Sequence, residues 1–247
     1  MKQGILEVST TPVYPLGKGF WVGNSLYRYA HVDVERQLRA AYAVTPKIYY
    51  GQTGVPAALA AAGTRQVTLT AVTLDVAADQ FAEGILSKAG GGGGGYGVNY
   101  RIKSNTAATV GNNYVVTLHE SIIVDIPVTD TCTLFRSMWA NVYCQRQRSI
   151  DGVATDLRKT SFSGIPNRFV PLDNYCWLQV KGPCMVVPAG GTEGVADDER
   201  QMIFQEDGSV SKPDYATPHE QQFAGYVLPI TTLGAIPDLL EIFLQLE

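Results

Sequence analysis

Apolar and polar residues alternate from Arg65 onward, and a period of two is the pattern of a β-strand with one buried face. Val67, Leu69 and Ala71, for example, are separated by threonines. Similar short apolar segments, bounded by Gly, Pro, Asn and Asp, recur through the rest of the chain and predict further strands. The predicted strands cover residues 65–76, 84–87, 98–104, 114–118, 121–126, 131–135, 139–145, 152–156, 226–230 and 241–246. This rhythm is typical of an antiparallel β-sandwich or barrel, and no internal repeat is evident in it.

The apolar segment 175–187 predicts a hairpin of two strands. Its proposed turn is Lys181-Gly182-Pro183, where glycine supplies the backbone angles of a tight reversal. A second turn is predicted at 206–209, where the sequence is Glu-Asp-Gly-Ser.

The first quarter of the chain has a different pattern. Residues 1–28 combine prolines and glycines with apolar and aromatic residues, which predicts an extended arm lying on its own domain or on a neighbouring subunit. Residues 31–44 have helical spacing and end before Pro46, which predicts one short helix. Residues 51–63 are predicted to be a linker. We therefore expect an arm with a helix and linker over 1–63, and a β-rich domain over 64–247.

Composition restricts the function. Charged residues make up 17% of the chain, below the typical share of roughly 25%, so we expect that partners cover much of the surface. The net charge of −4 disfavours direct binding to nucleic acid, which needs a basic face. The sequence contains no apolar run of membrane-spanning length, and the polar residues after Met1 are not typical of a signal peptide. We therefore expect no signal peptide, synthesis in a cytoplasm and no membrane partner.

The metal-binding residue types lack metal-binding spacing. Cys132, Cys144, Cys176 and Cys184 form no C-x-x-C pair, and the three histidines lie far from one another in the sequence. Zinc sites in proteins usually have ligands paired at short spacing. We therefore predict four reduced cysteines and no metal.

Candidate catalytic motifs are equally weak. The six glycines at 90–95 precede a strand-like segment, so they predict a flexible hairpin tip and not a nucleotide-binding loop. His119 and Asp125 could meet a serine in space, and the acidic residues 197–199 could contribute to a carboxylate pair. Both sets are better explained as surface residues. The sequence therefore predicts no catalytic residue and no cofactor, and the chain is not expected to be an enzyme.

Aromatic residues are the more informative set. Tyrosine and tryptophan are favoured at interfaces because they bury a large area and keep one polar atom. Several aromatic side chains lie in the N-terminal fifth of the chain, and one tryptophan lies in the predicted hairpin. The predicted partner-binding residues are Tyr14, Phe20, Trp21, Tyr27 and Trp177.

Three segments resemble tailed-bacteriophage structural proteins, many of them from uncultured marine phages. Residues 78–86 and 100–108, on either side of the glycine run, resemble a recurring strand–turn–strand, and residues 175–184 resemble a second signature. The resemblance covers roughly residues 65–190. It implies a capsid decoration or cement protein that binds the major capsid protein lattice within the virion. It brings no catalytic residues, and self-association as a trimer is a further expectation.

Two other functions remain open. The chain could be a phage tail, fibre or baseplate protein that binds glycans or a receptor through aromatic side chains. It could also be a β-sandwich hydrolase that uses scattered Asp and Glu residues.

Overall fold

The computed structural model describes residues 2–47, 52–89, 97–144, 161–190, 200–213, 222–228 and 239–247. Within these ranges the chain forms strands and turns but no helix, so the predicted mainly β class is confirmed and the single predicted helix is wrong. In chain order the strands are β1 Gly19–Val22, β2 Ser25–His31, β3 Thr45–Pro46, β4 Gln52–Pro56, β5 Gln66–Ala71, β6 Ile85–Ala89, β7 Asn99–Asn105, β8 Asn113–Leu118, β9 Thr131–Phe135, β10 Val142–Tyr143, β11 Ile165–Pro166, β12 Tyr175–Val186, β13 Gln201–Phe204, β14 Val210–Ser211, β15 Phe223–Val227 and β16 Leu240–Gln245.

The chain divides into two compact units. The sheet unit comprises Met1–Lys47 and Trp139–Glu247, and the barrel unit comprises Ile48–Met138. The boundary expected between residues 63 and 64 lies inside the barrel unit, in the loop between β4 and β5.

In the barrel unit, six antiparallel strands close on themselves in the order β4-β5-β8-β7-β6-β9. The alternation seen in the sequence places Val67, Leu69 and Ala71 inside, where they are fully or almost fully buried. Strand β4 corrects the expectation of a linker at 51–63. A Cβ on Gly54 would come within 3.0 Å of the Leu69 side chain, so this glycine permits close packing of two strands.

In the barrel unit the predicted strand 121–126 is wrong, and the predicted strand 65–76 ends early, at Ala71. Residues 72–76 and 121–126 are loops, and each joins the structure through one isolated bridge, Val76 to Ala108 and Ile126 to Ala60. Their apolar residues follow the strand period, but their backbone lies beyond the ends of β5 and β8. Other predictions hold, because β6, β7, β8 and β9 lie within a residue or two of the predicted ranges.

The sheet unit is built on one sheet of order β1-β2-β12-β16-β15-β13-β14, with β11 also paired to β12. Separate apolar clusters form its core, one around Cys176 and Leu178 and another around Ile242 and Leu244. The C-terminal strand β16 pairs with both β12 and β15, as expected for an apolar terminal strand.

The predicted hairpin at 175–187 is wrong, because β12 is one continuous strand of 12 residues. Its register against β2 shifts between Gln179 and Lys181, and Gly182 has φ of 95°. A Cβ on Gly182 would lie 2.5 Å from the Asn24 carbonyl oxygen. Glycine therefore permits a local irregularity and a close approach of two strands, and the chain does not reverse.

The segment 31–44 is not helical because its backbone groups bond to distant segments. Leu38 N–H donates to the Val170 carbonyl at 2.9 Å, and Val44 N–H donates to the Gly164 carbonyl at 2.9 Å. Ala41 has φ of 65°, which an α-helix does not allow. Tertiary hydrogen bonds thus override the helical spacing of the side chains.

The predicted arm divides into two parts. Residues 19–31 form β1 and β2 and belong to the sheet, so the expectation of an irregular arm through residue 28 is wrong there. Residues 2–18 cover the sheet of their own unit, which is one of the two surfaces that the sequence left open.

Candidate functional site

Four of the five predicted partner-binding aromatics come together with Tyr29 on one face of the sheet. Trp177 on β12 lies at the centre, and its ring centroid is 5.1 Å from Tyr29, 5.3 Å from Tyr14 and 5.8 Å from Phe20. Tyr27 is buried in the same cluster. We call these five residues the aromatic cluster. Alternation along the paired strands β2 and β12 places Tyr27, Tyr29 and Trp177 on one face of the sheet. Phe20 joins them because it pairs with Tyr27 across β1 and β2, and Tyr14 packs on them from the N-terminal segment.

Gln3 ties the N-terminal segment onto the aromatic cluster. Its buried side-chain amide donates to the Tyr175 carbonyl at 3.2 Å and accepts from the Tyr29 hydroxyl at 2.8 Å. The Trp177 indole N–H donates to the Gln3 carbonyl at 3.2 Å. No sequence pattern predicts this role, since a glutamine near the start of a chain is normally a surface residue.

Four of the five predicted partner-binding residues therefore make contacts within their own unit, and Tyr27 and Trp177 are buried there. Trp21 differs, because 57% of it is exposed. It lies on β1, which is an edge strand of the sheet. Among the predicted residues, Trp21 is the most accessible to a partner.

Further exposed apolar side chains lie at both ends of the barrel. The strand directions place loops 57–65 and 119–130 at one end, and loops 72–84 and 106–112 at the other. Ile123 at the first end is 75% exposed and Leu74 at the second is 64% exposed. The other large apolar residues exposed in these loops are Leu59, Val72, Val110, Val124 and Val128. Sequence reasoning missed Leu74 and Ile123 because it assigned residues 72–76 and 121–126 of the two long loops to strands with a buried face.

The barrel unit contains a buried ion pair, which is a candidate catalytic group. Lys88 Nζ lies 3.0 Å from Asp130 Oδ2, and both side chains are only 4% exposed. The ammonium group also donates to the Asp125 carbonyl at 2.9 Å. Burial raises the pKa of the neighbouring Cys132 thiol to about 11, so it stays a thiol near neutral pH. The closed environment fits a structural pair better than a nucleophile.

His119 and Asp125 do not form the couple that the sequence left open. His119 Nε2 lies 3.0 Å from a carboxylate oxygen of Glu83, and the Asp125 carboxylate accepts from the Ala62 N–H at 2.7 Å. In the sheet unit, His31 lies between Asn141 and Asp173, at 2.9 Å from each. His31 and His119 thus each hydrogen-bond to side chains in loops of their own unit.

All four cysteines are free and buried, as predicted. Burial raises the pKa of Cys176 and of Cys184 to about 12, and also raises the pKa of Cys144. Thiols in such surroundings are poor nucleophiles at neutral pH. Their contribution is packing.

Some candidate groups lie outside the described residues, namely the glycine run at 90–95, the predicted strand at 152–156 and the acidic residues 197–199. Within the described ranges, no cluster of three or more His, Cys, Asp or Glu side chains could hold a metal ion. The same ranges contain no helix long and apolar enough to cross a membrane.

Comparison of the chain with protein-family models, with curated proteins and with solved structures gave no match.

Proposed function

We propose that this chain is a structural virion protein that binds and stabilises the capsid lattice of a tailed phage, as a decoration or cement protein. The observation that carries the proposal is the exposure of large apolar side chains, Ile123 and Leu74, at opposite ends of the barrel. Exposed apolar surface is costly in water and commonly marks a protein–protein contact. Exposed Trp21 on edge strand β1 adds a third candidate contact.

The loops that carry these side chains are well ordered by hydrogen bonds. Ala60 and Ile126 exchange two backbone hydrogen bonds of 3.0 and 2.9 Å, and Asp125 accepts a third from Ala62. A contact surface that is already ordered loses little conformational entropy on binding, which favours affinity. This arrangement supports a role in binding other proteins.

The ionisable groups of the described residues support the same role. Lys88, Asp130 and the four thiols are buried, and His31 and His119 hydrogen-bond to side chains in loops of their own unit. The proposed mechanism is mass action, since a protein that binds only the assembled lattice shifts the equilibrium towards it. Repetition over many equivalent sites, with trimers of the chain as the proposed binding unit, would add avidity.

The test is binding to shells assembled from the major capsid protein of the phage that encodes this chain. Co-sedimentation measures occupancy on expanded and unexpanded shells. We expect the wild-type chain to bind expanded shells and Leu74→Asp or Ile123→Asp to lower the affinity at least about tenfold, equivalent to roughly 1.4 kcal/mol. Thr73→Asp, an exposed change in the same loop as Leu74, is the matched control.

Absence of wild-type binding to expanded shells would refute the proposal. Deletion of residues 1–28 is a poor test, because it removes β1, part of β2 and three of the five residues of the aromatic cluster. Trp21→Ala tests the exposed aromatic contact without removing a strand.

A further inference from the structure

The barrel unit contains one three-stranded arrangement twice. The first module, residues 52–89, holds β4, β5 and β6, and the second, residues 99–135, holds β7, β8 and β9. Exchanging β4 with β7, β5 with β8 and β6 with β9 leaves the barrel order β4-β5-β8-β7-β6-β9 unchanged. The two modules are therefore related by a pseudo-two-fold axis that crosses the barrel and interchanges its ends.

The loops between these strands are also equivalent when the two modules are exchanged. In one pair of loops, Ala60 and Ile126 donate to each other's carbonyls at 3.0 and 2.9 Å. In the other pair, Ala108 and Val76 do the same at 2.9 and 2.7 Å. Equivalent positions thus make equivalent bridges at opposite ends of the barrel.

The glycine turns match as well. Gly63 N–H donates to the Ile122 carbonyl at 2.8 Å, and Gly111 N–H donates to the Ala71 carbonyl at 2.8 Å. These glycines have φ of 88° and 83°, which other residues rarely adopt. Each follows its bridging alanine, Ala60 or Ala108, by three residues.

One side-chain hydrogen bond is also repeated. The Asp125 carboxylate accepts from Ala62 N–H at 2.7 Å, and the Asp75 carboxylate accepts from Val110 N–H at 2.8 Å. Each aspartate directly precedes a bridging residue, Ile126 or Val76. The two modules agree in strand order, bridges, glycine turns and aspartates. Agreement in all four features is hard to explain by chance if the modules are unrelated.

We infer that the barrel unit is a tandem duplication of one three-stranded module. Only one strand pairing lies within each module, β4 with β5 and β7 with β8, and the other pairings of the barrel join the two modules. The modules complete each other as the subunits of a two-fold dimer do. In the sequence, the glycine run at 90–95 lies between them. The duplication would revise the expectation of no internal repeat. The two modules share an Ala-x-x-Gly and an apolar-Asp-apolar pattern within otherwise different residues.

The test is an exchange of equivalent loop residues in the full chain. The triple variant Thr109→Ala, Val110→Ala, Asn112→Thr gives the second module the Ala-Ala-Ala-Gly-Thr sequence of residues 60–64. The reciprocal variant is Ala61→Thr, Ala62→Val, Thr64→Asn. The out-of-register control, Val110→Gly with Gly111→Val, keeps the composition and moves the glycine by one residue.

We expect both exchanges to keep the melting temperature within about 4 °C of wild type, since every special backbone position retains its residue. The control places valine at a positive φ and should melt more than about 8 °C lower. The inference would be overturned if the melting temperature of either triple variant fell as far as that of the out-of-register control. A control as stable as the exchanges would also overturn it, because loop register would then carry no information.

Discussion

The buried ion pair gives the sharpest test of how the barrel unit is stabilised. Lys88→Met keeps the length of the side chain but leaves the Asp130 carboxylate, 4% exposed, without its cation at 3.0 Å. Removal of one partner of a buried pair typically costs roughly 3–5 kcal/mol, because the other charge stays buried and uncompensated. For a unit of this size, each kcal/mol lowers the melting temperature by roughly 4–8 °C. We therefore expect the barrel transition to fall by at least about 12 °C.

The assay is thermal unfolding by calorimetry, which separates the transitions of the two units if they melt independently. Arg101→Met is the matched control, because it breaks the ion pair with Glu83 at a side chain that is 56% exposed. Exposed pairs are worth up to about 1 kcal/mol, so the control should shift the transition far less. The double variant Lys88→Met with Asp130→Asn should recover much of the loss. An effect of Lys88→Met no larger than that of Arg101→Met would refute this reasoning.

Three further predictions concern folding. Gln3→Leu should lower the free energy of unfolding by about 1–3 kcal/mol in urea titrations, because the buried Tyr29 hydroxyl loses its acceptor; an unchanged midpoint would contradict this. Gly182→Ala should destabilise the chain far more than Gly23→Ala in the same titration. A Cβ at position 182 would lie 2.5 Å from a backbone oxygen, whereas a Cβ at position 23 would meet no atom within 4 Å. Equal losses would show that close packing at Gly182 does not determine the effect of the substitution. Under reducing conditions, the free energy of unfolding should fall as pH rises above the ordinary thiol pKa of 9.0, because thiols of the unfolded chain ionise first. The fall should continue to about pH 11–12, where the buried thiols of the folded chain ionise too. A free energy of unfolding that is constant from pH 8 to pH 11 would contradict the raised pKa values of Cys132, Cys176 and Cys184.

Local alternation was enough to predict much of the barrel. Thr131–Phe135 forms a strand with the predicted bounds, and the Asp-Gly turn at 207–208 joins β13 to β14 as expected. These features depend on near neighbours in the chain, so a single sequence contains the signal for them.

Features set by distant partners were not predictable. Gly182 has the sequence of a turn, yet its positive φ serves a strand that packs against Asn24 and Ser25. The segment around Leu38 has helical spacing, yet the Leu38 N–H donates to the distant Val170 carbonyl and not to a residue of its own turn. The aromatic candidates were found by composition. Their contacts with Gln3 form only because the N-terminal segment folds back onto β12, and hydrophobic periodicity carries no signal for such a distant contact.

Exposed residues were the hardest to predict for a related reason. Leu74 and Ile123 continue the apolar pattern of the strands before them, so the sequence assigns them to buried faces. Loop geometry beyond the ends of β5 and β8 leaves them in solvent. The same geometry, repeated at both ends of the barrel, makes these two positions the first to examine for partner contacts.

We propose that this chain acts by surface contact on a phage capsid, and its position on the virion is the decisive measurement. Cryo-electron microscopy of the mature virion of the phage that encodes it should reveal the chain as regularly repeated density on the capsid shell. Leu74, Ile123 or Trp21 should then lie against a neighbouring subunit. A shell without such density, with the chain recovered only apart from assembled particles, would contradict the account.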